Sequence, residues 1–194
     1  MIVSEGEDAR GFYLVVSGRI KIFKLSMDGK EQILHFIGPG EPFGEVPVFD
    51  GNPFPAYAKS MEKSNVLYFP RGSFLELIGE KPPLALKMLA VLSQRLKEFT
   101  ALIEDLSLKE VPGRLAGYIF YLNDRQKVMN NEIILDVNKN QLASLLGTIP
   151  ETLSRILTKM KKERVIALGN NGCIKILDQK GLEQLANGKR RLSK

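Results

Sequence analysis

The spacing of apolar residues changes at Lys81, and that change limits the folds open to this chain. Across PPLALKMLAVLSQRLKEFTALIEDLSL, apolar side chains fall at Ala85, Leu89, Leu92, Leu96, Phe99, Ile103 and Leu106. Steps that alternate between four and three residues are the a/d seam of a helix, sustained here over three heptads. Pro82 and Pro83 suit the first turn of such a helix and nothing deeper. A helix packed on its own sheet would account for a seam, but an isolated roll rarely needs one so long and unbroken. A parallel dimer contact through Leu89, Leu92, Leu96, Phe99, Ile103 and Leu106 is the preferred reading.

Before Lys81 the pattern is of another kind. FYLVVSGRIKIFKLSMDGKEQILHFIGPGEPFGEVPVF alternates short β-branched or aromatic runs with turn signals at Ser17-Gly18, Asp28-Gly29 and Gly38-Pro39-Gly40. Strands this closely spaced imply an antiparallel sandwich or roll over residues 1–80. His35 interrupts the apolar run ILHFI and reads as a half-buried strand residue before it reads as a ligand.

After the helix, assigned to 81–110 with its hinge, LKEVPG breaks the pattern and marks a domain boundary. RLAGYIFYL reads as a short helix, EIILDV as a strand, and VIALGNNGCIKIL as two strands joined by a hairpin at Gly169-Asn170-Asn171-Gly172. Between them lies QLASLLGTIPETLSRILTKMKK. Asn140–Leu146 supplies a short helix, Gly147 permits a tight turn, and Thr148-Ile149-Pro150-Glu151 has the T-x-x-E form of a capping box that starts a second helix. Helix, strand, helix, turn, helix and hairpin is the order of a winged helix-turn-helix, placed at 111–188, with 189–194 (KRRLSK) as a disordered basic tail adding non-specific affinity.

On the second helix, Glu151, Ser154 and Arg155 lie at i, i+3 and i+4 and share a face, while Leu153, Ile156, Leu157 and Met160 form the buried one. Arginine can donate two hydrogen bonds to guanine O6 and N7, and glutamate can accept from cytosine N4, so these three are the candidate base readers. Thr152, Lys159, Lys161 and Lys162 can reach phosphates, giving affinity without sequence information. The capping box is a rival role for Glu151, whereas no local partner for Arg155 is evident.

Charge agrees with a polyanion partner for the C-terminal part. Residues 1–111 carry 13 basic and 15 acidic side chains, whereas residues 112–194 carry 15 and 7. One cysteine and one histidine exclude an internal disulfide and a multi-ligand Cys/His metal site, and no catalytic motif accompanies them, so an enzyme is not expected. Without an eighteen-residue apolar run or a basic leader, a membrane span or secretory signal is not expected either, and a reducing cytoplasm fits best.

The chain resembles the CRP/FNR family of bacterial transcription regulators. The resemblance rests on GFYLVVSGRIKIF and GPGEPFGEVPVF in the roll, the long helix, and ASLLGTIPETLSRIL, and it spans nearly all of the sequence. It implies an α+β protein with a cyclic-nucleotide-binding-type antiparallel β-roll (a jelly roll), a dimerisation helix from about Pro82 and a winged helix-turn-helix. It also implies two recognition helices in adjacent major grooves of a pseudo-palindromic, TGA-containing site in double-stranded DNA, with half-site centres about 34–36 Å apart. RNA polymerase would be a partner if the protein activates. A regulatory module that works through protein partners without specific DNA binding is the alternative.

The resemblance further implies an effector pocket at Gly44, Glu45, Phe54, Pro55 and Ala56. Cyclic AMP binders resemble a pattern of Gly-Glu followed about ten residues later by Arg-Ser-Ala, in which the arginine pairs with the cyclic phosphate. Here Phe54-Pro55 precede Ala56, so a buried phosphate would lack its cation, and an effector other than cyclic AMP is expected. Glu45 then reads as a hydrogen-bonded turn residue. A four-thiolate cluster is excluded by the single Cys173, haem through His35 stays open, and the effector is unassigned. Family members carry a helix and one or two strands ahead of the position of Ile2–Gly6, and because an exposed roll edge is an aggregation liability, upstream residues are expected.

Overall fold

The computed structural model describes residues 1–126, 131–170 and 172–193. It divides into two compact units, Met1–Thr100 and Ala101–Lys194. In the first, β1 (Gly11–Ser17), β2 (Ile20–Leu25), β3 (Glu31–Ile37), β4 (Pro42–Phe43), β5 (Tyr57–Ser60) and β6 (Asn65–Pro70) form two antiparallel sheets in the orders β4-β1-β6 and β3-β2-β5. The interior between strands is filled by Val15, Ile20, Ile37, Phe43, Phe54 and Ala58. This is the jelly-roll-like arrangement that the alternating runs imply.

Two short helices lie where the sequence offers weak periodicity. α1 (Val46–Asp50) has only five residues, and α2 (Arg71–Glu80) buries only Phe74, so neither shows a clear apolar stripe. The long helix α3 (Pro83–Leu108) follows, with Pro82 just ahead of it. Its Met88 is buried in a cluster with Phe12, Val48 and Phe74, which fastens the start of the helix to the roll.

The second unit contains α4 (Val111–Gln126), β7 (Glu132–Ile134), α5 (Lys139–Leu145), α6 (Pro150–Lys162), β8 (Ile166–Leu168), β9 (Cys173–Ile176) and α7 (Gln179–Ala186). The wing is a three-stranded sheet in the order β7-β9-β8, with the hairpin closed by Gly169 N–H donating to the Cys173 carbonyl at 2.9 Å; Asn171, at its tip, lies outside the described residues. Leu115, Ile119, Leu122, Ile133, Leu142 and Leu153 are fully buried in this unit. Pro112 and Gly113 do not break the chain as far as their identities imply. α4 already begins at Val111, with Pro112 in its first turn, and Gly113 is required because a Cβ there would stand 2.9 Å from the Leu185 carbonyl oxygen. The helix RLAGYIFYL therefore extends to sixteen residues, and α7 is an element the turn-rich C-terminal sequence did not announce.

Capping differs from the sequence expectation. Because Pro150 occupies the first turn of α6, its N-cap is Ile149, which has no side-chain acceptor, and Thr148 stands one residue outside the helix with its N–H donating to the Ala143 carbonyl at 2.9 Å. The T-x-x-E box is not formed. A reciprocal box forms instead one helix earlier: Gln141 N–H donates to the Asn138 side chain at 3.0 Å, and Asn138 N–H donates to Gln141 Oε1 at 2.9 Å. Asn138→Ala is expected to lower the unfolding free energy by about 1 kcal/mol. Thr148→Ala should cost less than half of that; urea unfolding of both variants checks the order.

Candidate nucleic-acid interface and effector cavity

A left-handed Gly147 (φ +63°) turns the chain from α5 into α6. Leu153, Ile156, Leu157 and Met160 pack inward from α6, which fixes the rotation of the helix about its axis. The opposite face carries Glu151 and Arg155, both exposed, with Ser154 half-buried between them. Arg155 Nη2 donates to Thr152 Oγ1 at 3.3 Å, a local partner that the sequence reading did not identify, and no carboxylate holds it among the described residues. Ser154 Oγ donates to the Pro150 carbonyl at 2.7 Å, so its proton is engaged while its lone pairs remain open to a donor. With no cap hydrogen bond on α6, Glu151 is not spent on capping. Thr158, which the sequence reading passed over, continues the exposed face one turn beyond Ser154; its i+4 spacing was the available signal.

Lys159, Lys161 and Lys162 are exposed along the last turn of α6. Lys159 Nζ donates to the Ser193 carbonyl at 3.1 Å. The described C-terminal segment runs to residue 193 and folds back onto α6 through these contacts, where a free tail was expected; Lys194 lies outside the described residues. Glu163, the C-cap of α6, accepts from Ser193 Oγ at 2.6 Å, Ser193 N–H at 2.7 Å and Arg190 Nη2 at 2.8 Å. The Ser193 hydroxyl foremost, with Arg190, holds the Glu163 carboxyl below the usual carboxylate range. Arg190 also reaches Asp178 at 3.4 Å, and Arg191 pairs with Glu110 at 3.2 Å. Part of the basic excess is thus neutralised by these contacts, whereas Arg155, Lys161 and Lys162 have no carboxylate partner among the described residues.

The roll holds a cavity of about 380 Å³ lined by Gly44, Glu45, Phe54, Pro55 and Ala56, and by Leu92, Leu96 and Phe99 of α3. Pairing between β2 and β3 slips by one residue: Ile22 lies opposite His35, but Phe23 lies opposite Ile33. Leu34 is the extra residue of this bulge, and so Leu34 and His35 both line the cavity although they are consecutive in a strand. Gly44 backs directly onto the Phe54 ring. Glu45 is 1% exposed; its carbonyl accepts from Val48 N–H at 3.0 Å, and its carboxylate is ion-paired with Arg95 of α3, a partner the sequence did not announce, whose other terminal nitrogen donates to the Pro42 carbonyl. Arg95 was missed, though its place three residues after Leu92 and four before Phe99 puts it on the same helix face.

The heptad seam divides in two. Leu89, Leu96 and Ile103, seven residues apart, are 58%, 68% and 65% exposed. Ala85, Leu92, Phe99 and Leu106 are half-buried, and the Phe99 ring meets His35 edge-on at 5.3 Å. One position of each heptad serves the chain's own unit and the other is left uncovered.

His35 Nδ1 and Nε2 and Glu45 Oε2 are buried without hydrogen-bond partners. Burial, with the Arg95 guanidinium adding to it, pushes the His35 imidazole down to about 4 from an ordinary value of 6.5. The cavity offers one imidazole, His35, and one cation, Arg95, which is already engaged by Glu45 and Pro42. Among the described residues no cluster of His, Cys, Asp and Glu could hold a metal ion, and no helix is long and apolar enough to cross a membrane. Because the folded state holds His35 neutral, its contribution is complete above pH 6.5 and is lost as pH falls toward 4. His35→Phe is expected to raise stability at pH 7 by about 1 kcal/mol or more, by removing two unpaired buried nitrogens, and to flatten the stability profile between pH 6.5 and 4; thermal unfolding across that range measures both.

Comparison with known proteins agrees with this architecture. Residues 1–81 match the cyclic nucleotide-binding domain, and residues 113–185 match the Crp-like helix-turn-helix domain. The chain is 31% identical over 189 residues to the cyclic AMP receptor protein of Thermus thermophilus, covering 96% of this chain and 84% of that protein. It is 29% identical to the fumarate and nitrate reduction regulatory protein of Escherichia coli, covering 97% and 76%. Among solved structures, FixK2 from Bradyrhizobium japonicum superimposes with a TM-score of 0.80 at 25% identity, covering 95% of this chain and 91% of that one. A CooA mutant from Carboxydothermus hydrogenoformans superimposes with a TM-score of 0.82 at 26% identity, covering 96% and 84%. A roll with an apolar cavity, a long seam-bearing helix, a winged helix-turn-helix and a relative at 31% identity along nearly the whole chain place this protein in the CRP/FNR family of DNA-binding transcription regulators.

Proposed function

We propose that two copies of this chain associate along α3 and read a pseudo-palindromic, TGA-containing site, one α6 in each of two adjacent major grooves, under the control of an effector other than cyclic AMP. The observation that carries the reading is Arg155: exposed, near the start of a helix whose other face is buried, and, among the described residues, engaged only by the hydroxyl of Thr152. An arginine so placed can turn both terminal nitrogens to guanine. Glu151 lies on the same face to accept from cytosine, Ser154 offers an acceptor beside them, and Thr152, Lys159, Lys161 and Lys162 on the same helix are the groups to meet phosphates. Lys159 must release Ser193 to do so.

The row Leu89, Leu96 and Ile103 supports association, since three large apolar side chains at a seven-residue spacing stand open on one helix. Phe54 and Pro55 support an effector other than cyclic AMP. They close the cavity with apolar surface, and Arg95 is committed to Glu45, so a buried cyclic phosphate would lack a counter-charge. A regulator of this kind meets RNA polymerase where it activates.

Competition between a TGA-palindromic duplex and random duplex, titrated with salt, tests the reading. The palindrome should be preferred by a factor of about a thousand or more, and the preference should persist as salt rises; equal binding would leave only the protein-partnered module. Arg155→Ala should reduce discrimination at one guanine of each half-site by about tenfold to a hundredfold. Lys161→Ala should weaken all sequences alike and lower the salt slope by about one. Leu89→Lys and Ile103→Lys alter side chains that the single chain leaves exposed, so both variants should fold yet sediment as monomers and lose affinity for the full site.

A further inference from the structure

The cavity of the roll carries information about what can occupy it. This inference rests on reading that cavity as the effector site, and it concerns the chemical class of the occupant. Its walls are apolar, contributed by Ile22, Phe43, Phe54, Leu92 and Phe99 among others, and its volume of about 380 Å³ suits a small molecule of one or two rings. Three polar groups break the apolar surface: the Glu45 carboxylate, the Arg95 guanidinium and the His35 imidazole.

Their charges already balance. Glu45 and Arg95 neutralise each other at contact distance, and each terminal nitrogen of Arg95 already donates once, one to Glu45 and one to the Pro42 carbonyl. An anion entering here would be buried beside the Glu45 carboxylate while the one cation of the lining is already ion-paired, and a cation would be buried beside Arg95. An uncharged molecule disturbs neither. At the same time Glu45 Oε2 and both nitrogens of His35 are buried with hydrogen-bonding capacity unused, which is costly unless something in the cavity supplies partners. A carboxylate oxygen only accepts, so Glu45 calls for a donor; an uncharged imidazole offers one donor and one acceptor and matches a hydroxyl or a ring N–H.

We infer that the roll binds an uncharged, largely apolar molecule bearing an O–H or N–H donor, and discriminates against anions of the same shape. The donor meets Glu45 Oε2 or His35, and the apolar body rests on Phe54 and on Leu92 and Phe99 of α3. Because Leu92 and Phe99 alternate along the heptad with the exposed Leu89 and Ile103, and Leu96 belongs both to the cavity rim and to the exposed row, an occupant presses on the helix whose other row is open for pairing.

A matched pair of fluorescent probes tests this directly. 2-Naphthol is uncharged at pH 7 and carries one O–H; 2-naphthoate has the same ring system and a carboxylate. The chain has no tryptophan, so naphthalene emission and anisotropy can be followed without protein indole background. 2-Naphthol is expected to bind at least tenfold more tightly than 2-naphthoate and than cyclic AMP. Leu34→Phe, which fills the cavity from the bulge, should abolish binding while circular dichroism confirms the fold. Glu45→Gln should release Arg95 and bring the two probes to parity or reverse their order.

Tighter binding of 2-naphthoate or cyclic AMP would overturn the inference while leaving the cavity as an effector site. Failure of all three to bind would overturn both. Binding of 2-naphthol that survives Leu34→Phe would place the molecule elsewhere and equally overturn it. Binding of 2-naphthol with unchanged DNA affinity would uphold the class of ligand and refute effector control.

Discussion

A carboxylate and a guanidinium that meet almost out of water organise the N-terminal unit. Glu45 stands at the N-cap of α1, two residues past β4, and Arg95 in the middle of α3, fifty residues on, so their contact determines how that helix lies against the strands. Buried ion pairs contribute little net stability relative to an apolar contact of the same size, but removing one partner strands the other charge. Such a pair is therefore better regarded as a positional constraint than as a source of folding energy. It fixes which side chains of α3 face the cavity, and through them which are left facing outward.

The C-terminal unit meets a similar requirement by different means. A recognition helix must present fixed side chains to a partner while exposing little apolar surface of its own. Four apolar residues set the rotation of α6, Gly147 sets its approach, and the Glu163, Arg190 and Ser193 contacts secure its far end. The stiffness comes from packing and from the ends of the helix, leaving the middle of the outer face free for chemistry.

Much of this was legible in the sequence, for a physical reason: periodicity reports burial. The strands of the roll, the long helix, the turn at Gly147 and the wing were all readable from alternation, heptad steps and glycine pairs. What escaped lay where periodicity is silent. α2 buries one side chain and leaves almost no stripe. The capping box moved from Thr148 to Asn138 because a proline at the first helical position shifts the N-cap by one residue, a distinction of backbone angle that T-x-x-E cannot express. Arg95 looked like one more cation on an amphipathic helix, since its partner lies fifty residues away. The tail reads as disordered by composition, and only the three-dimensional nearness of Glu163, Asp178 and Glu110 organises it.

The bulge at Leu34 has an implication for how such an interior can vary. A substitution alters the wall of a chamber one side chain at a time, but an unmatched residue in a ladder adds an entire side chain to one face and leaves its neighbours in step. Inserting or deleting a single amino acid in this arm would thus enlarge or shrink that space and re-aim His35, while leaving Glu45 and Arg95 where they are. Backbone length, as much as side-chain identity, is a dial by which this architecture can be retuned from one guest to another.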